Sequence, residues 1–306
     1  MPEILTLYIA FWIFITGLCI GSFLNVVILR GLSNESIVFP PSKCPKCQHK
    51  LKWWHNIPLL SYILLKGKCY FCHEKISPQY FIVELSTGIL FTALFFKFGL
   101  SLNLLLMLII FSLFIVMTVT DLKEKIIFDI HAFILAGFGI LYNLLNHNLL
   151  NAALGILEGI LIMEVIAAIG YLFVKSRAFG TGDTFIAGAL GAIFGWAPLI
   201  IVLVLSLVVQ ALITLPLYIF KLYKEKNFKT IIALITFLLI AAIYKIISLK
   251  AGINVSILYA GVIAVVISGL YCVRQITRNI KSKSDAIILP FGPAMFISAA
   301  AFIFLN

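Results

Sequence analysis

Two aspartates and four cysteines are the residues of this chain whose types and spacing could do chemistry. Asp121 stands in "VMTVTDLKEKIIFD" (116–129) and Asp183 in "GTGDTF" (180–185), each beside a long apolar run. Ionisable residues within or beside membrane spans are costly and mark functional sites by default. Two carboxylates brought to one site cannot both ionise easily, so one holds a proton while the other stays charged. That division suits peptide hydrolysis: the charged carboxylate takes a proton from water and the neutral one donates to the scissile carbonyl. Gly180 and Gly182 let the backbone before Asp183 bend and approach another helix, and a helix N-terminus favours a carboxylate. Plainer roles compete: an N-cap for Asp183, and a solvated helix end beside Lys123 and Lys125 for Asp121. Asp129 is a rival partner for Asp121, about two helical turns further on a similar face. Glu84, Glu158 and Glu164 fall inside apolar spans, where hydrogen bonding within the bundle is the first expectation.

The cysteines form two knuckles, Cys44-x2-Cys47 and Cys69-x2-Cys72, with 21 residues between them in the polar, Lys-rich segment 31–79. Paired CxxC knuckles near this spacing read as a zinc site, and four thiolates in a tetrahedron suit Zn2+. A segment this short has too little core to fold alone, so metal binding would supply its folding energy. A pair of disulfides is the alternative, disfavoured in a reducing cytosol. His49, His55 and His73 are near enough in sequence to replace a ligand, although four cysteines complete the set. Cys19 and Cys272 lie in apolar stretches and read as small packing residues.

The elements that must position these residues are membrane spans. The chain has 306 residues, of which 62% are hydrophobic and 11% charged, against about 25% charged in a soluble domain. The expected fold class is an all-α polytopic membrane protein of about nine to ten transmembrane helices with a small cytoplasmic zinc-ribbon-like insertion. The helices are expected over 4–29, 80–97, 101–120, 126–145, 152–174, 184–197, 198–220, 229–248, 252–273 and 286–305. The expected domains are a first transmembrane helix (1–30), the cysteine module (31–79) and a transmembrane bundle (80–306). Glu3 is the only charge before the first span, which lacks a basic n-region and a small-residue cleavage site and reads as a retained helix.

With the N-terminus outside, segments 30–79, 121–125, 175–183, 221–228 and 274–285 face the cytoplasm. They hold every Lys and Arg except Lys97, Lys229, Lys245 and Lys250. This positive-inside pattern places both aspartates at the cytoplasmic face of an inner membrane. It also attributes the net charge of +11 to topology and anionic lipid, not to nucleic acid. No internal repeat and no low-complexity linker is visible.

Several stretches, in order, resemble the prepilin peptidases, or type IV leader peptidases, the polytopic aspartic proteases of the GxGD type. They are "GSFLNVVILR" (21–30), the paired knuckles with "NIPLLSYILLKGKC" (56–69) between them, "SPQYFIVELSTGILF" (77–91), "DLKEKIIFD" (121–129), "GTGDTFIAGALGAIFGW" (180–196) and "PFGPAMF" (290–296). GxGD alone is a weak signal, whereas the ordered set is specific. The resemblance implies that Asp121 and Asp183 are the catalytic pair and that Cys44, Cys47, Cys69 and Cys72 bind the metal. It implies cleavage of the basic leader from type IV prepilins or pseudopilins after a glycine, and methylation of the new N-terminus with S-adenosylmethionine as donor. A peptidase without methylation is the alternative, since no glycine-rich nucleotide loop is visible. A cation-linked transporter using Glu84, Glu158 and Glu164 would leave the CxxC pair and both aspartates unexplained. The chain departs from the family pattern at Phe185, where a Lys is usual, at Phe128, where a Pro is common, and in extra apolar sequence around 215–275.

Overall fold

Inside a bilayer no water satisfies backbone N–H and C=O groups, so spanning segments must be helical or form closed barrels. The computed structural model describes residues 3–174, 180–248, 263–264, 267–269, 271, 274–275 and 290–305. Its helices are α1 (Glu3–Leu32), α2 (Leu60–Leu64), α3 (Pro78–Phe98), α4 (Leu102–Glu124), α5 (Asp129–Leu145), α6 (Leu149–Val174), α7 (Thr181–Phe194), α8 (Trp196–Lys224), α9 (Phe228–Ser248) and α10 (Gly292–Leu305), with a 3-10 turn at Trp53–Asn56. The all-α membrane architecture is as expected. Among the described residues, α1, α3, α4, α6 and α8 are long and apolar enough to cross a membrane, and α5, α7, α10 and the Phe228–Tyr244 stretch of α9 are shorter apolar helical segments. The expected helix over 252–273 lies largely outside the described residues, as do the loop residues 175–179 and 276–289.

Packing divides the chain into two compact units. One comprises Met1–Glu164, Phe179–Ser206 and Pro290–Asn306; the other comprises Val165–Ala178 and Leu207–Leu289. The extra apolar sequence around 215–275 falls in the second unit. There Asn227 Oδ1 accepts from the Thr230 N–H at 3.4 Å and caps α9, and Lys221 Nζ lies 3.7 Å from Glu225, the residue just past the end of α8.

In the first unit α4 is the hub, packing on α1, α3, α5 and α10, while α7 packs on α5 and α10. Leu24 and Ile28 of α1, Val83 of α3 and Ile115 and Val116 of α4 share one buried cluster. The rings of Phe111 and Phe114 meet Phe296 of α10 at 5.9 and 6.1 Å. Lipid tails are as apolar as leucine, so helices associate in a membrane by close packing of small residues. A Cβ added at Gly17 or Gly21 would stand 2.8 Å from the Cα of Gly88 or Glu84, so α1 and α3 touch backbone to backbone. Gly155 and Gly159 of α6 meet Gly191 and Ala187 of α7 in the same way. Asn143 of α5 donates to the carbonyls of Ala192 and Ile193 at 2.7 and 2.8 Å, pinning the far end of α7.

The α6–α7 contact leaves no room for a side chain. Gly191→Leu is expected to lower stability by roughly 1–3 kcal/mol through overpacking, read as a lower thermal midpoint of the purified protein in detergent. An unchanged midpoint would show that the two backbones are not in contact.

Candidate active site

Asp121 lies in the last turn of α4 and is 4% exposed. The helix ends at Lys125, whose left-handed backbone (φ 56) returns its N–H to the Asp121 carbonyl at 2.9 Å. Asp121 Oδ2 accepts the backbone N–H of Gly292 at 2.9 Å. Gly292 is the first residue of α10, so the carboxylate faces the positive end of a helix. A Cβ at 292 would stand 2.7 Å from that same oxygen, so the contact requires glycine.

Asp183 is 8% exposed and sits in the first turn of α7. Its Oδ2 accepts the N–H of Gly180 at 3.1 Å. The N-cap position is therefore Gly180, and Asp183 reaches back from the third helical position to satisfy an orphan donor, as the acidic residue of a capping box does. The helix starts three residues earlier than expected for this reason. Asp183 Oδ1 is buried without a hydrogen-bond partner among the described residues. The start of α7 approaches the chain just beyond the end of α4, and the two predicted carboxylates lie at those helix ends. Gly182 permits this approach, since a Cβ there would stand 2.8 Å from Cβ of Ile127. Over its 14 residues α7 rises about 21 Å, short of the ~30 Å hydrocarbon core.

The other acidic residues separate from this pair. Asp129 opens α5 on an exposed position after the chain has turned, so it does not continue the helix of Asp121. Glu84 accepts the N–H of Leu59 at 2.8 Å, and Glu164 accepts the Thr184 hydroxyl at 3.1 Å, as expected for carboxylates bonded within the bundle. Glu158 departs from that expectation: its Oε2 is buried without a hydrogen-bond partner among the described residues. Phe185 packs on Phe133 of α5, ring centroids 5.2 Å apart, so an aromatic contact occupies the place where a Lys was expected. Gly292 is the residue that the sequence reading did not assign; its signal was the "PFGPAMF" stretch, quoted there only as part of a resemblance.

The four cysteines also converge. The Sγ atoms of Cys44, Cys47, Cys69 and Cys72 all lie within 4.8 Å of one another, and none of these cysteines is in a disulfide. A tetrahedral site with ~2.3 Å metal–sulfur bonds has sulfur–sulfur edges of about 3.8 Å; Cys44 and Cys72 are 3.9 Å apart. The knuckles repeat one another, which corrects the expectation of no internal repeat. The Cys44 N–H bonds to the His49 carbonyl and the Cys69 N–H to the Glu74 carbonyl, at 3.0 and 2.9 Å. Gln48 and His73, each directly after the second cysteine, are left-handed (φ 60 and 56), and Lys43 pairs with Lys50 as Lys68 does with Lys75. The shared pattern K-C-x-x-C-x-x-K was the sequence signal. The Cys72 N–H, turned onto sulfur, holds the Cys69 thiol below its ordinary range.

Two family models match the chain. The bacterial peptidase A24 N-terminal domain covers residues 15–98, including the cysteines. The type IV leader peptidase family covers residues 108–215, including both aspartates. The chain is similar to proteins named prepilin leader peptidase/N-methyltransferase. One from Myxococcus xanthus is 37% identical over 200 residues, which is 64% of this chain and 59% of that protein's own length. One from Klebsiella pneumoniae is 34% identical over 210 residues, covering 65% and 92%. One from Neisseria gonorrhoeae is 33% identical over 218 residues, covering 63% and 76%. No solved structure matches the chain.

The thiolate geometry makes a stoichiometric prediction. The purified chain is expected to take up one soft divalent cation and to release protons as it does so. Cys69→Ser should lower the affinity at least tenfold, in keeping with the ~10–100-fold cost of disturbing even outer-shell partners. Elemental analysis with a chelator titration checks both, and a metal-free chain that takes up none would contradict the arrangement.

Proposed function

The chain belongs to the type IV leader peptidase family, and on that premise we propose that it cleaves the basic leader from type IV prepilins or pseudopilins at the cytoplasmic face of the inner membrane, with Asp121 and Asp183 as the catalytic pair. The observation that carries this reading is two buried carboxylates at the ends of helices in one compact unit, each accepting a backbone N–H. Gly292 holds one oxygen of Asp121 and Gly180 one oxygen of Asp183, while Asp183 Oδ1 is left for water or the scissile carbonyl. The ionised carboxylate takes a proton from water as its oxygen attacks the carbonyl carbon, and the protonated one donates to the carbonyl oxygen. On collapse the C–N bond breaks, the leaving amine takes a proton from one carboxyl, and the gem-diol returns a hydroxyl proton to the other carboxylate, so the pair again holds one proton. A prepilin carries an apolar helix in the bilayer and a charged leader outside it, so a shared membrane holds the scissile bond, after a glycine, near the carboxylates and supplies proximity.

Cys44, Cys47, Cys69 and Cys72 would hold Zn2+. The thiolate set and its near-tetrahedral spacing fit that ion. When bound, it ties the two knuckles together and supplies folding energy to the segment between α1 and α3. Methylation of the newly exposed amine, with S-adenosylmethionine as donor, belongs to the same proposal. No residue is assigned to the donor, since the sequence holds no glycine-rich nucleotide loop.

Coexpression with a prepilin tests the reading through substrate mobility. Asp121→Asn and Asp183→Asn should each reduce cleavage by about 10²–10⁴-fold or more, the worth of a positioned acid or base, while the protein still inserts. Normal cleavage by either variant would remove that residue from the chemistry. Gly292→Ala should lower kcat/KM about tenfold, or about 1.4 kcal/mol, by displacing Asp121 Oδ2. Because the reaction needs one proton on the pair, the rate should fall on both sides of an optimum pH, with apparent constants that belong to the pair. Cys44→Ser should impair methylation more than cleavage, measured by mass spectrometry of the processed N-terminus. An unmethylated product from the wild-type enzyme acting alone would leave a peptidase only.

A further inference from the structure

The segment between the two knuckles does not behave as a loop in water. The short helix α2 turns Leu60, Ile63 and Leu64 outward, at 53%, 59% and 72% exposure. These are positions i, i+3 and i+4, one helix face, and all three are aliphatic. Its opposite side is fastened to α3. The Leu59 N–H donates to Glu84 Oε2 at 2.8 Å, and the Tyr62 ring meets Phe81 at 5.5 Å.

Those contacts fix how deep α2 sits. Glu84 lies six residues into α3, about 9 Å along its axis. The polar border of the α1–α3 pair lies nearer the helix ends. Asn25 of α1 bonds the Tyr80 carbonyl and the Gln79 side chain, and Arg30, beyond it, reaches out to the carbonyls of Ser36 and Pro40. Leu59 and α2 are therefore held between the levels of Phe81 and Glu84, at or just inside the level of Tyr80, on a helix long and apolar enough to span. An apolar face held there meets hydrocarbon, and a depth of about 5–10 Å is where interfacial helices lie. The charges on the same segment agree. All seven lysines of residues 31–79 are exposed, Lys66 and Lys68 directly follow α2, and Glu35 and Glu74 are the only acids. Among the described residues none of these lysines is in an ion pair.

We propose that α2 is an interfacial membrane anchor: Leu60, Ile63 and Leu64 insert among the acyl chains of the leaflet into which α3 enters, Glu84 holds the helix at that depth, and the neighbouring lysines contact anionic headgroups. The partner is a lipid surface of negative charge. The consequence is that the cysteine module is fastened flat against the bilayer, not free on a tether.

The test uses the full-length wild-type protein reconstituted in phosphatidylglycerol vesicles that contain a phospholipid with a photoreactive acyl chain, with adducts mapped by peptide mass spectrometry. The exposed residues Ile82 and Ile89 of α3 serve as the internal standard. Adducts on residues 60–64 are expected at a yield within about threefold of the standard, as for a helix at the headgroup–acyl boundary. A lower yield overturns the proposal. A second arm adds a single-span prepilin peptide. If the peptide clears the α2 adducts and leaves those on Ile89, the face is a peptide-docking surface and the lipid assignment falls; unchanged α2 adducts support the anchor.

Discussion

Burying two carboxylates inside an apolar helix bundle is the constraint around which this protein is built. A buried charge is expensive unless hydrogen bonds compensate it, and a second charge nearby raises the cost. The fold answers with main-chain donors at two helix N-termini, Gly292 of α10 for Asp121 and Gly180 before α7 for Asp183. Three helices must then end at one place and come close enough for backbone to meet side chain. The glycines at 182 and 292 sit where a Cβ would collide with Ile127 and Asp121, and those at 155 and 191 let α6 press on α7. Ordinary hydrophobic patterning would not force such small residues into these positions; the close approach does.

Much of this was legible in the sequence, and what was not has physical causes. Apolar run length fixes helices well, because the bilayer leaves no other backbone solution; α1, α3 and α9 fall within three residues of their expected limits. The start of α7 was misread, because Asp next to a helix is as compatible with an N-cap as with a residue that caps from inside. Which oxygen meets which N–H depends on α10, 171 residues from Asp121, and no local pattern carries that. Asp129 looked like a rival on its eight-residue spacing from Asp121; the left-handed Lys125 ends α4 between them. The repeated knuckle is written plainly in the sequence as two K-C-x-x-C-x-x-K octapeptides, a pattern too short to stand out against the long apolar runs.

The cysteine segment and the carboxylate pair belong to one compact unit, although their chemistry differs. The knuckles are small, built from turns and isolated bridges, with little apolar core of their own. The four cysteines converge at one place in the segment, and Glu84, bonded to Leu59, ties it to α3 at another. A carboxylate inside a span, which at first reading resembled part of an ion path, is thereby accounted for as a structural link between membrane helix and cysteine segment.

The central claim is that Asp121 and Asp183 work as one unit. Its most direct test is single-turnover cleavage of a prepilin by wild type, Asp121→Asn, Asp183→Asn and the double variant, compared as kcat/KM. Residues that act together are strongly non-additive, so the double variant should be no slower than the slower single variant. Losses that multiply in the double variant would mean two independent groups, and would contradict the shared site.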